Sequence, residues 1–257
     1  MRTLTWNQNS DAWQAARRGR ITASNMGKVM DFTQKGVEGA KRMEYRLKLL
    51  GERLTDWLAT NYVTRAMEEG KEREEEALSL YEQATGEVLT PMGFILHPEY
   101  DFAGASPDSA VGHVGLVEAK SPQPHTLLGW IELLEANEDA GADPTLFIPL
   151  QYRDQMQWQI RSCDPKPGET HARREWCDFW GYYPGLPSVL QRVPRDDERI
   201  AELEQAVVKI NGQIEASIAR MRRPPTEWDT TPYKSREEAE DDSMITDADV
   251  AMIERGF

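Results

Sequence analysis

Three side chains in the stretch GASPDSAVGHVGLVEAK, Gly104 to Lys120, could act together on a phosphate: Asp108, Glu118 and Lys120. Glu118 and Lys120 lie two apart in a segment rich in Val, Leu and Ala that reads as a strand. Alternation puts both on one face and Ala119 on the other. With Asp108 at the end of the preceding segment, two carboxylates and an amine can converge. Hard divalent cations take oxygen ligands, and Mg2+ commonly combines one or two carboxylates with waters and phosphate oxygens. Such an ion acidifies a bound water and neutralises charge developing at phosphorus. A lysine beside it orients that water and stabilises the transition state. The pattern fits metal-assisted hydrolysis of a phosphodiester. Taken alone, it fits as well a turn aspartate and the solvated face of an edge strand.

The chain that must position these groups has 257 residues, enough for one large domain or two small ones with a substantial core. Its net charge of −14 argues against broad nucleic-acid affinity. The acid is concentrated, however, in KEREEEAL and in the last thirty or so residues, while ARRGR, HARREW and RMRRPP gather basic groups. A basic groove on an acidic protein remains compatible with this distribution. No apolar run approaches the ~20 residues of a membrane span, and the polar start is unlike a signal peptide, so a cytoplasmic protein is expected. Cys163 and Cys177 are read as two reduced thiols. His97, His113, His125 and His171 lack metal-ligand spacing, which argues against zinc.

Periodicity predicts a helix through DAWQAARR, capped by Ser10 or Asn9 and ended at Gly19. Thr22 or Ser24 is read as a second cap. Helices are expected over 38–60, with Leu47, Leu50, Leu54, Trp57 and Leu58 on one side, and over 62–86. One strand is expected in EVLTPMGFILHP and two more in YDFAGASPD and HVGLVEAKS, joined by a turn near Ser109 to Gly112. Helices follow in HTLLGWIELLEA and PLQYRDQMQWQIRS, then a closing strand pair in REWCDFWGYYP and PSVLQRVPRD. A long amphipathic helix from DERIAELEQ stops at Pro224 and Pro225. Residues 224–257 read as an acidic C-terminal tail with a short helix near its end, leaving 1–223 as a single domain. The class is α/β or α+β, a small mixed central sheet flanked by helices.

Four blocks occur in an order that resembles the lambda-exonuclease (YqaJ-type viral recombinase) family of PD-(D/E)xK nucleases. They are DAWQAARRGRITASNMGKVM, GKEREEEALSLYEQATG, SPD followed by VEAK, and YRDQMQWQI. The resemblance implies a restriction-endonuclease-like core, about 62–160. It also implies a metal-dependent 5′-to-3′ exonuclease on linear double-stranded DNA, releasing mononucleotides and leaving 3′ overhangs for phage-type recombination. Asp108, Glu118 and the Ala119 carbonyl would hold Mg2+ or Mn2+, two ions per site. Glu74 would complete the metal site from a helix, with Glu75 one register step away. Lys120 would be the catalytic lysine, assisted by Tyr152 and Gln155. Arg17, Ser24, Thr22 and Ser106 would bind the 5′-terminal phosphate, and Met67 would be a wedge at the duplex end. A homotrimeric ring and a single-strand annealing protein partner are implied too, in a phage or prophage setting. Ser109 stands where the family commonly has Gly, and Ala119 where it has Leu or Ile; neither removes a ligand. An endonuclease or nickase, or a non-catalytic DNA-binding assembly protein on the same fold, stays open as an alternative.

Overall fold

The strands form two sheets rather than the one small sheet expected. The computed structural model describes residues 3–4, 10–55, 65–166 and 168–222, with side chains outside 3–4 and 65–72. The chain divides into two units, Met1–Ile218 and Ala219–Phe257, and every candidate site residue lies in the first. The tail at 224–257, its expected short helix, the Met67 side chain, Trp57 and Leu58 fall outside what is described.

The order of elements is β1 (Thr3–Leu4), α1 (Asp11–Arg17), β2 (Ile21–Thr22), a 3₁₀ turn (Ala23–Asn25), α2 (Met26–Val29), α3 (Ala40–Thr55) and α4 (Arg65–Thr85). Then come β3 (Leu89–Pro91), β4 (Phe94–Leu96), β5 (Ala103–Ala105), β6 (Ser109–Val111), β7 (Gly115–Lys120) and α5 (Pro124–Asp139). A 3₁₀ turn (Pro144–Phe147), α6 (Leu150–Ser162), β8 (Trp176–Gly181), β9 (Val189–Pro194) and α7 (Asp197–Met221) complete the described chain. One sheet runs β1-β4-β5-β2 and the other β3-β6-β7-β8-β9, with β2 parallel to β5 and β7 parallel to β8. This is a mixed α+β fold.

Two expectations about strands need correction. EVLTPMGFILHP is not one strand: Met92 and Gly93 break it, sending β3 to the five-stranded sheet and β4 to the other. Proline cannot donate to a ladder, and Pro91 accordingly ends β3. Ser109–Val111 is not a turn but β6, antiparallel to β7 with Ser109 opposite Val117. The reversal falls just after it, where Gly112 has φ 54°, a conformation that glycine adopts without strain. Leu47, read on the same side of α3 as Leu50, is half exposed, while Leu49 and Leu50 face the core.

The five-stranded sheet is covered on both faces. Val111, Val117, Ala119, Trp180 and Tyr182 pack against Ala77 and Tyr81 of α4. Leu116, Cys177 and Phe179 pack with Leu127 and Trp130 of α5 and with Met156 and Ile160 of α6. The second sheet contributes Ala103 and Ala105 to a separate cluster with Met26, Leu49, Ile210 and Trp158. α6 therefore runs between two cores, giving Trp158 to one and Met156 and Ile160 to the other. That explains why Asp154 to Ile160 are buried without interruption, contrary to the single stripe of a surface helix. Cys163 and Cys177 are both free and buried. Among the described residues no helix is long and apolar enough to cross a membrane.

Candidate active site

β7 carries two functions on its two faces. Val117 and Ala119 point to α4, while Leu116 and Glu118 point to α6. Period-two alternation then puts Lys120 with Glu118, and its Nζ does contact Glu118 Oε1. Asp108 stands immediately before β6, beside the end of β7, and its Oδ2 accepts a hydrogen bond of 2.8 Å from the Ala119 amide. The three residues read from the sequence as a cluster are thus brought together, on a strand pair whose exact boundaries the sequence did not give.

Among the described residues, the electrostatics of this cluster are those of crowded carboxylates around Lys120. Burial pushes the Asp108 carboxyl well above its usual range, and the negative charges of Glu118 and Glu74 push it further. Burial opposes the charge on Lys120, but Glu118, Asp108 and Glu74 outweigh it and raise the amine above its ordinary value. Lys120 is therefore a firmly protonated donor at neutral pH. Glu74 acts on both Asp108 and Lys120, whereas Glu75 is exposed and Glu76 accepts from the Tyr182 hydroxyl at 2.8 Å. Among the described side chains of α4, Glu74 is the carboxylate that acts on the cluster.

α6 supplies amides and a ring. Gln155 Nε2 donates to Glu118 Oε1, and Tyr152 lies under Lys120 with Nζ 5.6 Å from the ring centroid. Tyr152 is held in place by Phe179 and Trp130. The sequence reading missed Gln159, whose Nε2 donates to Glu118 Oε2. The signal was available: Gln159 is four residues beyond Gln155, hence on the same helix face. Gln157, between them in the motif, turns away and bonds Pro194 O at 2.8 Å and the Asp196 amide at 2.9 Å.

A second polar cluster forms around Arg17, at the last turn of α1. Ser10 caps that helix, accepting from Trp13 N at 3.2 Å. Arg17 Nη1 donates to Ser106 Oγ at 3.0 Å, Nη2 reaches Ser24 Oγ at 3.4 Å, and the guanidinium sits 4.0 Å from the Trp13 ring centroid. Trp13 Nε1 donates to the same Ser106 hydroxyl at 3.0 Å. Thr22 borders the cluster and accepts from Asn25 Nδ2 at 2.9 Å. Thr22 takes the N-cap position of the 3₁₀ turn, without a side-chain cap hydrogen bond, and Ser24 lies inside that turn. Among the described residues no carboxylate is seen to offset the burial of Arg17, which draws its pKa down to about 10. The β2–β5 pairing, Thr22 opposite Gly104, is what brings Thr22 and Ser24 beside Ser106. Gly104 is required there, since an added Cβ would lie 2.4 Å from the Ile95 carbonyl oxygen.

Among the described residues no three His, Cys, Asp or Glu side chains are already grouped to hold a metal ion. The donor set nevertheless fits a hard divalent cation in kind. It offers carboxylate oxygens from Asp108 and Glu118, with Glu74 adding negative potential.

The description of the YqaJ-like viral recombinase domain family matches residues 12–165, a span holding every residue of both clusters. The chain belongs to the YqaJ-like viral recombinase domain family. Among solved structures, the chain is similar to the crystal structure of an alkaline exonuclease (LHK-Exo) from Laribacter hongkongensis. It is 34% identical over 83% of this chain and 97% of that one, with a TM-score of 0.67. The same enzyme in complex with dAMP matches at 33% identity, over the same shares, with a TM-score of 0.66. A phage related exonuclease from Haemophilus somnus 129PT shares the fold, at 15% identity over 81% of this chain and 99% of that one, TM-score 0.57. No match was found among curated proteins.

Proposed function

We propose that this YqaJ-like protein is a metal-dependent exonuclease that digests linear double-stranded DNA from a 5′-phosphorylated end. It would proceed 5′ to 3′, release 5′-mononucleotides and leave 3′ single-stranded overhangs. The observation that carries this reading is the convergence of Asp108, Glu118 and Lys120 on one strand pair, with a separate cationic cluster at Arg17 joined to it through Ser106 and Pro107. Support comes also from the relative called an alkaline exonuclease and from its complex with dAMP, a mononucleotide.

In this reading Asp108, Glu118 and the Ala119 carbonyl would hold Mg2+ or Mn2+, two ions per site, with Glu74 completing the site from α4. The bound ion would supply an acidified water and charge neutralisation at phosphorus. Lys120, kept protonated by its carboxylate neighbours, would hold the attacking water and steady the charge that grows on the phosphoryl oxygens. Gln155 would fix the Glu118 carboxylate, and the Tyr152 ring would limit where the Lys120 amine can swing. Arg17, Ser24, Thr22 and Ser106 would grip the terminal 5′-phosphate by charge-assisted hydrogen bonds. Met67 would part the end of the duplex.

A homotrimeric ring would reconcile DNA processing with a net charge of −14, by turning basic groups inward and leaving acid outside. The protein would act in the cytoplasm of a bacterial host, with a single-strand annealing protein taking up the 3′ overhang in phage-type recombination.

The decisive experiment is a time course on linear duplex DNA labelled at one 3′ end. It compares 5′-phosphate with 5′-hydroxyl ends, and Mg2+ with EDTA. Progressive Mg2+-dependent shortening that favours the phosphorylated end is expected. Internal cuts indifferent to ends would point to an endonuclease instead, and DNA binding without cleavage to a non-catalytic assembly protein.

A further inference from the structure

The two glutamines that hold Glu118 are not equivalent. Gln155 shares Glu118 Oε1 with Lys120, on the side where the reactive groups gather. Oε2 is bonded, among the described residues, by Gln159 alone. Gln159 is fully buried, and its own Oε1 meets no donor among the described residues. A side chain placed for packing would be served by Leu or Met. A glutamine placed for local bonding would pair both ends, as Gln157 does one position pair away with Pro194 and Asp196. Gln159 instead leaves one end bare and commits the other to a carboxylate.

We propose that Gln159 is a positioning residue for Glu118. A carboxylate held at one oxygen rotates about its last bond and can offer either oxygen, or both, to a cation. With Oε2 tied down from the buried side, the plane of Glu118 is set and Oε1 is kept turned toward Lys120. The Glu118 ligand is thereby presented through one oxygen in a fixed direction, and groups that orient a metal ligand in this way commonly control affinity as strongly as the ligand's own neighbours do. The inference rests on the proposed role of Glu118 as a metal ligand.

The test is calorimetric titration of Mn2+ alone into the full chain, without DNA, for wild type, Gln159→Met and Gln157→Met. It is paired with kcat and KM on 5′-phosphorylated duplex. Gln159→Met should weaken Mn2+ binding and lower kcat by about 10- to 100-fold, with KM for DNA ends within about twofold of wild type. Gln157→Met should lower the melting temperature while Mn2+ affinity stays at the wild-type value. Gln159→His, which keeps an N–H donor, should recover part of the Mn2+ affinity that Gln159→Met loses. If Gln159→Met does not fold, Gln159→Leu gives the same readouts. Equal Mn2+ affinity in wild type and the folded Gln159 variant would overturn the positioning role alone. Failure of the wild-type chain to bind Mn2+ would overturn the reading of Glu118 on which the role depends.

Discussion

The two clusters on either side of the β5–β6 link use charge in opposite ways. Around Asp108, carboxylates crowd one another and a single lysine, so that the aspartate is pushed up and the lysine is held protonated. Around Arg17, among the described residues, an indole face and neutral hydroxyls meet the guanidinium, and burial draws the arginine down instead. The first arrangement is relieved by a positive ion and the second by a negative one. A cluster relieved by a cation and a cluster relieved by an anion, a few residues apart, are what the proposed reading asks of the two ends of its substrate.

This contrast can be broken at four points. The largest effect is expected for Lys120→Ala, which should lower kcat by about 10³-fold, within the range for loss of a positioned proton donor, and leave DNA-end binding measurable by gel shift. Glu74→Gln should follow, with a loss of about 10- to 100-fold in activity. Glu75→Gln should stay within about twofold, and the reverse ranking would move the α4 carboxylate by one position. Arg17→Ala should raise KM for 5′-phosphorylated ends by about 10- to 100-fold, the equivalent of a charge-assisted hydrogen bond of ~1.5–3 kcal/mol. It should also erase the advantage of phosphate over hydroxyl ends while changing kcat little. Loss of kcat rather than of end preference would show that the two clusters are not separable. The smallest effect belongs to Trp13→Phe. It keeps an aromatic face for Arg17 but removes the bond to Ser106, and should cost about two- to fivefold in the same preference, as a neutral hydrogen bond does.

Much of this site was legible because it follows short-range rules. Glu118 and Lys120 share a face by strand alternation, Tyr152 and Gln155 by helix spacing, and Ser10 caps α1 by its type and place. What was not legible depended on partners distant in the chain. β6 has only three residues and looks like part of a turn until β3 and β7 are seen on either side of it. EVLTPMGFILHP looks continuous because nothing local says that its halves belong to different sheets. α6 hides its own roles, because a helix buried all round has no polar face to separate Gln155 and Gln159, which meet Glu118, from Gln157, which does not. Ser24 read as a helix cap because its type allows it, whereas its neighbours in space turn it toward Arg17.

Ser106 deserves a last consequence. It touches Arg17 and Trp13, and two residues later the chain reaches Asp108. Two residues of backbone span at most about 7 Å, so covalent geometry keeps the backbone of Ser106, in the Arg17 cluster, close to that of Asp108. On the proposed reading that link is a ruler. The length of the piece removed at each turn would be set by the chain itself, not by how long the DNA dwells. Lengthening the link by one inserted residue should then blur the product from a single mononucleotide into a mixture.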